Sequence, residues 1–283
     1  MQIINTPHAV RAWVKDQKKQ GKSVGFVPTM GFLHEGHLSL MQKARMDNDV
    51  VIVSIFVNPT QFGPGEDLES YPRDFERDKE LCDSVGVDVI FAPGVKDMYP
   101  EGYSTYVDCE GDITKQLCGA SRPTHFKGVT SVVSKLFLIV APDRAYFGQK
   151  DAQQVAVIEK MVRELNFDVE IVPCPIVREA DGLAMSSRNT YLNEKERKDA
   201  LVLSEALKLC QEAVRNGERN TDSLIHLMKA HILHADSAQI DYVQIVDAKT
   251  LLPIDELQDD YLVALAVKIG KTRLIDNYRI SRC

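Results

Sequence analysis

The plainest chemical resource of this chain is a pair of histidines three residues apart in Pro28-Thr29-Met30-Gly31-Phe32-Leu33-His34-Glu35-Gly36-His37. Imidazole N–H groups beside the first turn of a helix would add to free backbone N–H groups and the positive end of the helix dipole. Together these make a place to hold phosphate. The apolar run at 23–27 reads as a buried strand before the segment, and 38–44 carries helical spacing after it. That puts His37 at or just before the first helical turn, with Gly36 letting the backbone come close. A second such place is Gly148-Gln149-Lys150-Asp151, after a strand ending in Tyr146-Phe147 and before the helical pattern 152–165. Its lysine is a compact cation suited to phosphate. Gln154 lies four residues past Lys150, on the same helical face.

A third resource is Met185-Ser186-Ser187-Arg188-Asn189, which follows the polar segment 178–183. Hydroxyls, backbone amides and one guanidinium in a loop suit a leaving group that gains charge. Serines that merely cap a helix are the ordinary alternative. A nucleophilic serine is disfavoured, because no Gly-x-Ser-x-Gly elbow is present. The polar, basic segment 119–128 reads as a loop that covers a bound anion with Arg122, His125 and Lys127 as donors. Asn58 and Gln61 are neutral, and a pocket built from amides suits a hydroxylated, singly charged substrate. Asp78 is a carboxylate within conceivable reach of Mg²⁺, but its position in 71–78 favours a solvated helix face, so no metal ligand is assigned.

The elements that must position these groups follow from pattern. Apolar runs at 23–27, 50–57, 87–92, 144–148 and 169–172 alternate with helical segments, the mark of a parallel sheet wrapped by helices. The run 50–57 is apolar on both faces, as a central strand should be, and delivers Asn58 to the carboxyl edge, where ligands bind in open α/β sheets. From about residue 193 the character changes. Asn193 with Glu196 opens a long helix to about 215, and a second helix follows Thr221. Strands at 240–246 and 261–268 follow, with Gly270-Lys271 turning the chain into 272–276. The expected class is α/β: a Rossmann-like parallel-sheet domain over 1–176 and a smaller C-terminal α+β domain over 177–283.

Composition limits the partners. The chain has 283 residues, a net charge of −7 and 44% hydrophobic residues, which is ordinary for a globular protein with a core that needs no staple. A nucleic-acid partner is disfavoured by the acidic balance. No apolar stretch approaches the roughly 20 residues of a membrane span, and the N-terminus lacks a signal peptide's basic and apolar regions. Six cysteines, at 82, 109, 118, 174, 210 and 283, form no Cys-x-x-Cys pair and read as scattered thiols of a cytoplasmic protein.

The His-x-Gly-His turn with a downstream hydroxyl-rich basic loop resembles the signature of the nucleotidyltransferase superfamily that includes class I aminoacyl-tRNA synthetases. Taken in order, 28–31 with His34-x-Gly-His37, Asn58-Pro59-x-Gln61-Phe62, Tyr71-Pro72-Arg73, His125-Phe126-x-Gly128-Val129, Phe147-Gly148-Gln149-Lys150-Asp151-x-Gln153-Gln154 and 181–189 closely resemble the bacterial pantothenate synthetase (pantoate–β-alanine ligase) family over essentially the whole chain. Gln149 stands where some relatives carry an acidic residue. The resemblance implies ATP-dependent condensation of (R)-pantoate with β-alanine to pantothenate, AMP and diphosphate through a pantoyl-adenylate, with Mg²⁺ and in a homodimer. It implies His34, His37, Lys150, Ser186, Ser187 and Arg188 as catalytic groups. ATP would further meet Met30, Gly31, Phe32, Leu33, Glu35 and Gly36, then Gly148, Gln149 and Asp151, then Met185 and the backbone of Val177. Gln61 and Gln154 would hold pantoate, with Asn58 and His125 helping, while the smaller domain and the 119–128 segment close over the site to keep water out.

Three rivals have distinct signatures. A nucleotidyltransferase acting on a phosphorylated acceptor would want fixed cations where this chain has Asn58, Gln61 and Gln154. A non-catalytic nucleotide sensor would show gaps in the constellation. A synthetase-like domain acting on tRNA would need a basic surface.

Overall fold

Val50 to Ser54 are buried at every position, because helices cover both faces of the strand they form. The structure, a computed structural model, describes residues 1–281, so Cys283 lies outside it. Along the chain run β1 (Gln2–Ile4), α1 (Pro7–Lys19), β2 (Val24–Thr29), α2 (Glu35–Asp47), β3 (Val50–Ile55), α3 (Phe75–Ser84), β4 (Val89–Phe91) and α4 (Val95–Met98). Then come α5 (Cys118–Ser121), α6 (His125–Val140), β5 (Arg144–Gly148), α7 (Ala152–Leu165) and β6 (Glu170–Cys174). The last are α8 (Glu194–Asp199), α9 (Val202–Arg215), α10 (Thr221–Ile232), β7 (Ala238–Asp247), β8 (Asp260–Ile269) and β9 (Thr272–Ser281).

Two compact units result, one of residues 1–109, 124–149 and 154–175, the other of 110–123, 150–153 and 176 onward. The first unit holds a six-stranded parallel sheet in the order β1-β4-β3-β2-β5-β6. Alternation sorts its side chains. Phe26, Ile52 and Phe91 pack with Val10 of α1, Val133 of α6 and Ile158 of α7 on one face. Val27, Val51, Val53 and Ile90 meet Leu40 and Met41 of α2 and Cys82 of α3 on the other. Strand order reverses between β2 and β5, and the carboxyl end of such a sheet at its switch point is where a ligand crevice opens. The first strand, Gln2–Ile4, gave no sequence signal: it is three residues long, and its status as a strand comes from pairing with Val89–Phe91 at the sheet edge.

The second unit centres on an antiparallel sheet, β7-β8-β9. Leu203 and Leu207 of α9 and Leu224 and Met228 of α10 pack on Val263, Leu265 and Val267 of β8. Gly270, at φ 57°, turns β8 into β9 where Ile269 faces Thr272.

Two expectations fail in detail. The helix expected from 193 to 215 is broken into α8 and α9, because Leu201 and Leu203 bond back to Lys198 and Ala200, three residues away, in a tighter turn. Nor is 119–128 a loop. Cys118–Ser121 is helical, and His125 to Gly128 form the first turn of α6, whose apolar face sits in the core.

Candidate active site

The groups of the first unit sit at three neighbouring strand ends. β3, β2 and β5 lie side by side in the sheet, so the segments after Ile55, Thr29 and Gly148 leave one edge together. The segment after Thr29 is rigidly built. Thr29 Oγ1 donates to Ser54 O at 2.8 Å and accepts from Gly31 N–H at 3.2 Å. Gly31 and Phe32 both take positive φ, 82° and 51°. For phenylalanine that conformation costs on the order of 1–3 kcal/mol, which surrounding structure must offset.

Asp78 provides the offset. Its carboxylate accepts the N–H of Phe32 at 2.8 Å and of Leu33 at 2.7 Å, while Arg77 donates to Leu33 O at 2.8 Å. Asp78 is therefore not on a solvated helix face: it is 1% exposed. Burial pushes its carboxyl above the ordinary range, against the two N–H bonds and Arg77, which pull it down. The signal was present in the sequence, since Asp78 shares a helical stripe with buried Cys82.

His34 is the N-cap of α2, and His37 is its third helical residue. Gly36 N–H donates to His34 Nδ1 at 3.2 Å, and His34 N–H donates to His37 Nδ1 at 3.3 Å. Two histidines thus form a reciprocal capping box. Because each Nδ1 accepts, the ring proton of each neutral imidazole belongs on Nε2. The pair therefore brings two Nε2–H donors to a helix N-terminus.

Asn58, 1% exposed, caps the short turn Pro59–Gln61 and donates through Nδ2 to Gln61 Oε1 at 3.1 Å and Gly128 O at 3.2 Å. His125 Nδ1 lies 2.9 Å from Gln61 O, so it is the donor to that carbonyl and carries its proton on the opposite nitrogen from His34 and His37. Gln154 is half-buried on α7. Its neighbour Gln153 is structural within the second unit: it accepts from Cys118 N–H and donates to Ile113 O and Gln116 O.

In the second unit Lys150 stands 3.6 Å from Asp151, and its carbonyl accepts from Asn277 Nδ2 at 2.8 Å. Val177 O accepts from Met185 N–H at 3.0 Å, closing a tight hairpin. Arg178 at its base holds Asp276 with two bonds, 2.6 and 2.9 Å, and also donates to Gly182 O. Ser186 caps the short helix Ser187–Tyr191 by accepting Arg188 N–H at 3.3 Å, so the capping role weighed for these serines is present for Ser186. Asn189 ties this helix to Glu179 and Ala184. Sequence reasoning missed Arg178 and Asp276 as a pair, because 98 residues separate them.

Among the described residues no three His, Cys, Asp or Glu side chains gather into a metal site. No helix among them is long and apolar enough to cross a membrane.

Against known proteins, the model of the pantoate-beta-alanine ligase family matches residues 2–279. The chain belongs to that family. It is accordingly a ligase that joins pantoate to β-alanine, with ATP, to make pantothenate. Pantothenate synthetases of Acetivibrio thermocellus and Moorella thermoacetica are each 58% identical to it over 277 residues, 98% of this chain and of each relative. The crystal structure of the Thermus thermophilus pantothenate synthetase is 46% identical, covers all of both chains and superposes with a TM-score of 0.95. That of the Francisella tularensis pantoate-beta-alanine ligase, complexed with β,γ-ATP and β-alanine, is 36% identical over 98% of this chain and 97% of that one, with a TM-score of 0.81. The Rossmann-like parallel sheet followed by a small α+β fold is thus the family's architecture.

Proposed function

We propose that the family reaction runs on this chain through a pantoyl-adenylate, with the residues acting as follows. His34 and His37 donate through Nε2–H to phosphate oxygens of ATP while the first-turn N–H groups of α2 add their dipole. The pantoate carboxylate attacks the α-phosphorus, a C–O–P anhydride forms, and the bond to the β-phosphate oxygen breaks. Lys150, Ser186, Ser187 and Arg188 take up the charge growing on the departing diphosphate. The β-alanine amine then attacks the acyl carbon, AMP leaves with the electron pair of the broken C–O bond, and the amine proton passes to solvent.

Mg²⁺ enters as part of MgATP. Bound with ATP, the ion would supply further neutralisation of the charge that Lys150 and Arg188 take up from the departing diphosphate. Gln61 and Gln154 bind pantoate through its hydroxyl and carboxylate oxygens, and His125 fixes the Gln61 backbone. Neutral amides at this place favour a hydroxy acid over a phosphorylated acceptor. Met30–Leu33, Glu35 and Gly36, Gly148 and Gln149, Asp151, Val177 and Met185 form the remaining ATP contacts by the family's pattern. The same pattern supports a homodimer working in the cytoplasm.

The observation that carries this reading is the reciprocal histidine cap, which fixes two imidazoles as donors at one helix N-terminus. Its test is diphosphate release from MgATP and (R)-pantoate, with and without β-alanine. A burst near one equivalent without β-alanine, becoming sustained turnover with it, is the expected result; release that ignores pantoate would refute the adenylate route.

A further inference from the structure

Tyr99 belongs to none of the motifs, yet its hydroxyl donates to Asn58 Oδ1 at 2.7 Å. We infer that Tyr99 is a positioning residue, which through Asn58 turns the Gln61 side chain so that its NH₂ group, and not its carbonyl oxygen, is offered to the hydroxy-acid substrate. This rests on the reading of Gln61 given above.

The direction of each amide follows from partners that have only one role. Gly128 O can only accept, so the Asn58 atom 3.2 Å from it is the nitrogen. Thr60 N–H can only donate, so the Asn58 atom 3.3 Å from it is the oxygen. With Asn58 fixed, its nitrogen also reaches Gln61 at 3.1 Å, and that Gln61 atom must be Oε1. Gln61 Nε2 therefore points the other way, 3.1 Å from Met30 Sδ, a weak acceptor that a substrate oxygen would readily replace. Donors run in one direction, from Tyr99 through Asn58 to Gln61.

Tyr99 is equipped to hold that direction. Its ring meets Phe56 at 6.2 Å and Tyr103 edge-on at 4.9 Å, and the Lys135 ammonium lies 5.7 Å from the ring centre. Burial pushes its hydroxyl up to about 12, so it remains a donor across the neutral range. Asn58, being buried, acts on substrate through Gln61 and not by contact.

The test is steady-state kinetics of the full-length enzyme with (R)-pantoate and ATP varied separately. Tyr99→Phe keeps the ring and removes a neutral hydroxyl that donates to Asn58 Oδ1 and also lies 3.3 Å from Thr60 Oγ1, so the pantoate KM should rise about 3–10-fold while kcat and the ATP KM hold. Tyr103→Phe, on the neighbouring ring, should leave all three unchanged. Asn58→Asp removes the donor to Gln61 Oε1, lets the amide turn over, and should raise the pantoate KM more than Tyr99→Phe does. If Tyr99→Phe folds poorly, Asn58→Asp alone decides. An unchanged pantoate KM in the decisive variant, or an equal rise in the ATP KM, overturns the inference while leaving the family reaction intact. Wild-type enzyme with no pantoate-dependent turnover would instead remove the reading beneath it.

Discussion

His34 and His37 cap one helix for each other, the Nδ1 of His37 taking the His34 backbone N–H at 3.3 Å with ring centres 4.1 Å apart. On the proposed role, structure falls to Nδ1 and chemistry to Nε2 of the same rings, and substitution can separate them. Asparagine at 34 is also a good N-cap, and glutamine at 37 can also reach back in a capping box. His34→Asn and His37→Gln should therefore keep helix stability to within about 1 kcal/mol. Each replaces the imidazole Nε2–H by an amide NH₂ set at another distance and angle, so on the proposed role diphosphate release should fall roughly 10²–10³-fold, the usual loss for one charge-stabilising donor. Thermal unfolding alongside the release assay checks both halves, and variants that lose stability and activity in proportion would contradict the division.

Asp78 gives a pH dependence of defined sign. Its folded-state pKa lies above the unfolded value of about 3.9, so the folded chain binds this proton more tightly. Its contribution is fully present below the unfolded pKa and is lost as pH rises through the folded pKa. Asp78→Asn cannot titrate, and it turns an NH₂ toward one of the N–H groups of Phe32 and Leu33, at a cost of about 1–3 kcal/mol near neutrality. The stability difference, wild type minus variant, should widen in favour of wild type as pH falls through the raised folded-state pKa toward the unfolded value of about 3.9. Urea unfolding at several pH values measures it; a difference that narrows toward acid would be the wrong sign.

Gly128 lies where α6 meets the turn that carries Gln61. A Cβ there would stand 2.3 Å from Thr60 O and 2.5 Å from Gln61 Cα, both backbone atoms. Gly128→Ala must push that turn away, at about 1–3 kcal/mol or more. It should weaken pantoate binding while leaving ATP binding nearly unchanged, which isothermal titration with ATP and pantoate separately can show.

Arg178 and Asp276 form a half-buried ion pair at the base of the Val177–Met185 hairpin, with the Asp276 side chain 1% exposed. Removing the cation strands a buried carboxylate, so Arg178→Met should destabilise the second unit by an amount toward the lower end of about 3–5 kcal/mol, Arg178 being partly exposed. Arg178→Lys keeps charge but not the two-bond fork and should fall between wild type and Arg178→Met. Denaturant unfolding followed in the second unit distinguishes the three.

What the sequence determined is what local spacing can carry. Apolar runs of strand length and helical stripes gave the order of β2, β3, β5 and their helices, and the His-x-Gly-His turn marked a helix N-terminus, because strand period, helix period and capping all act within a few residues. It also placed Asn58 and Gln61 just past the carboxyl end of β3. Tertiary structure decided the rest. Asp78 reaches Leu33 across 45 positions, and Tyr99 reaches Asn58 across 41, distances at which no periodicity speaks. Gln2–Ile4 becomes a strand only by pairing at the sheet edge, and the helix expected at 193–215 breaks at a tighter turn where Leu201 and Leu203 bond three residues back. A buried polar group must find its partner wherever the chain brings one, so which carboxylate props the Phe32–Leu33 backbone and which hydroxyl reaches Asn58 follow from packing and not from neighbours in sequence.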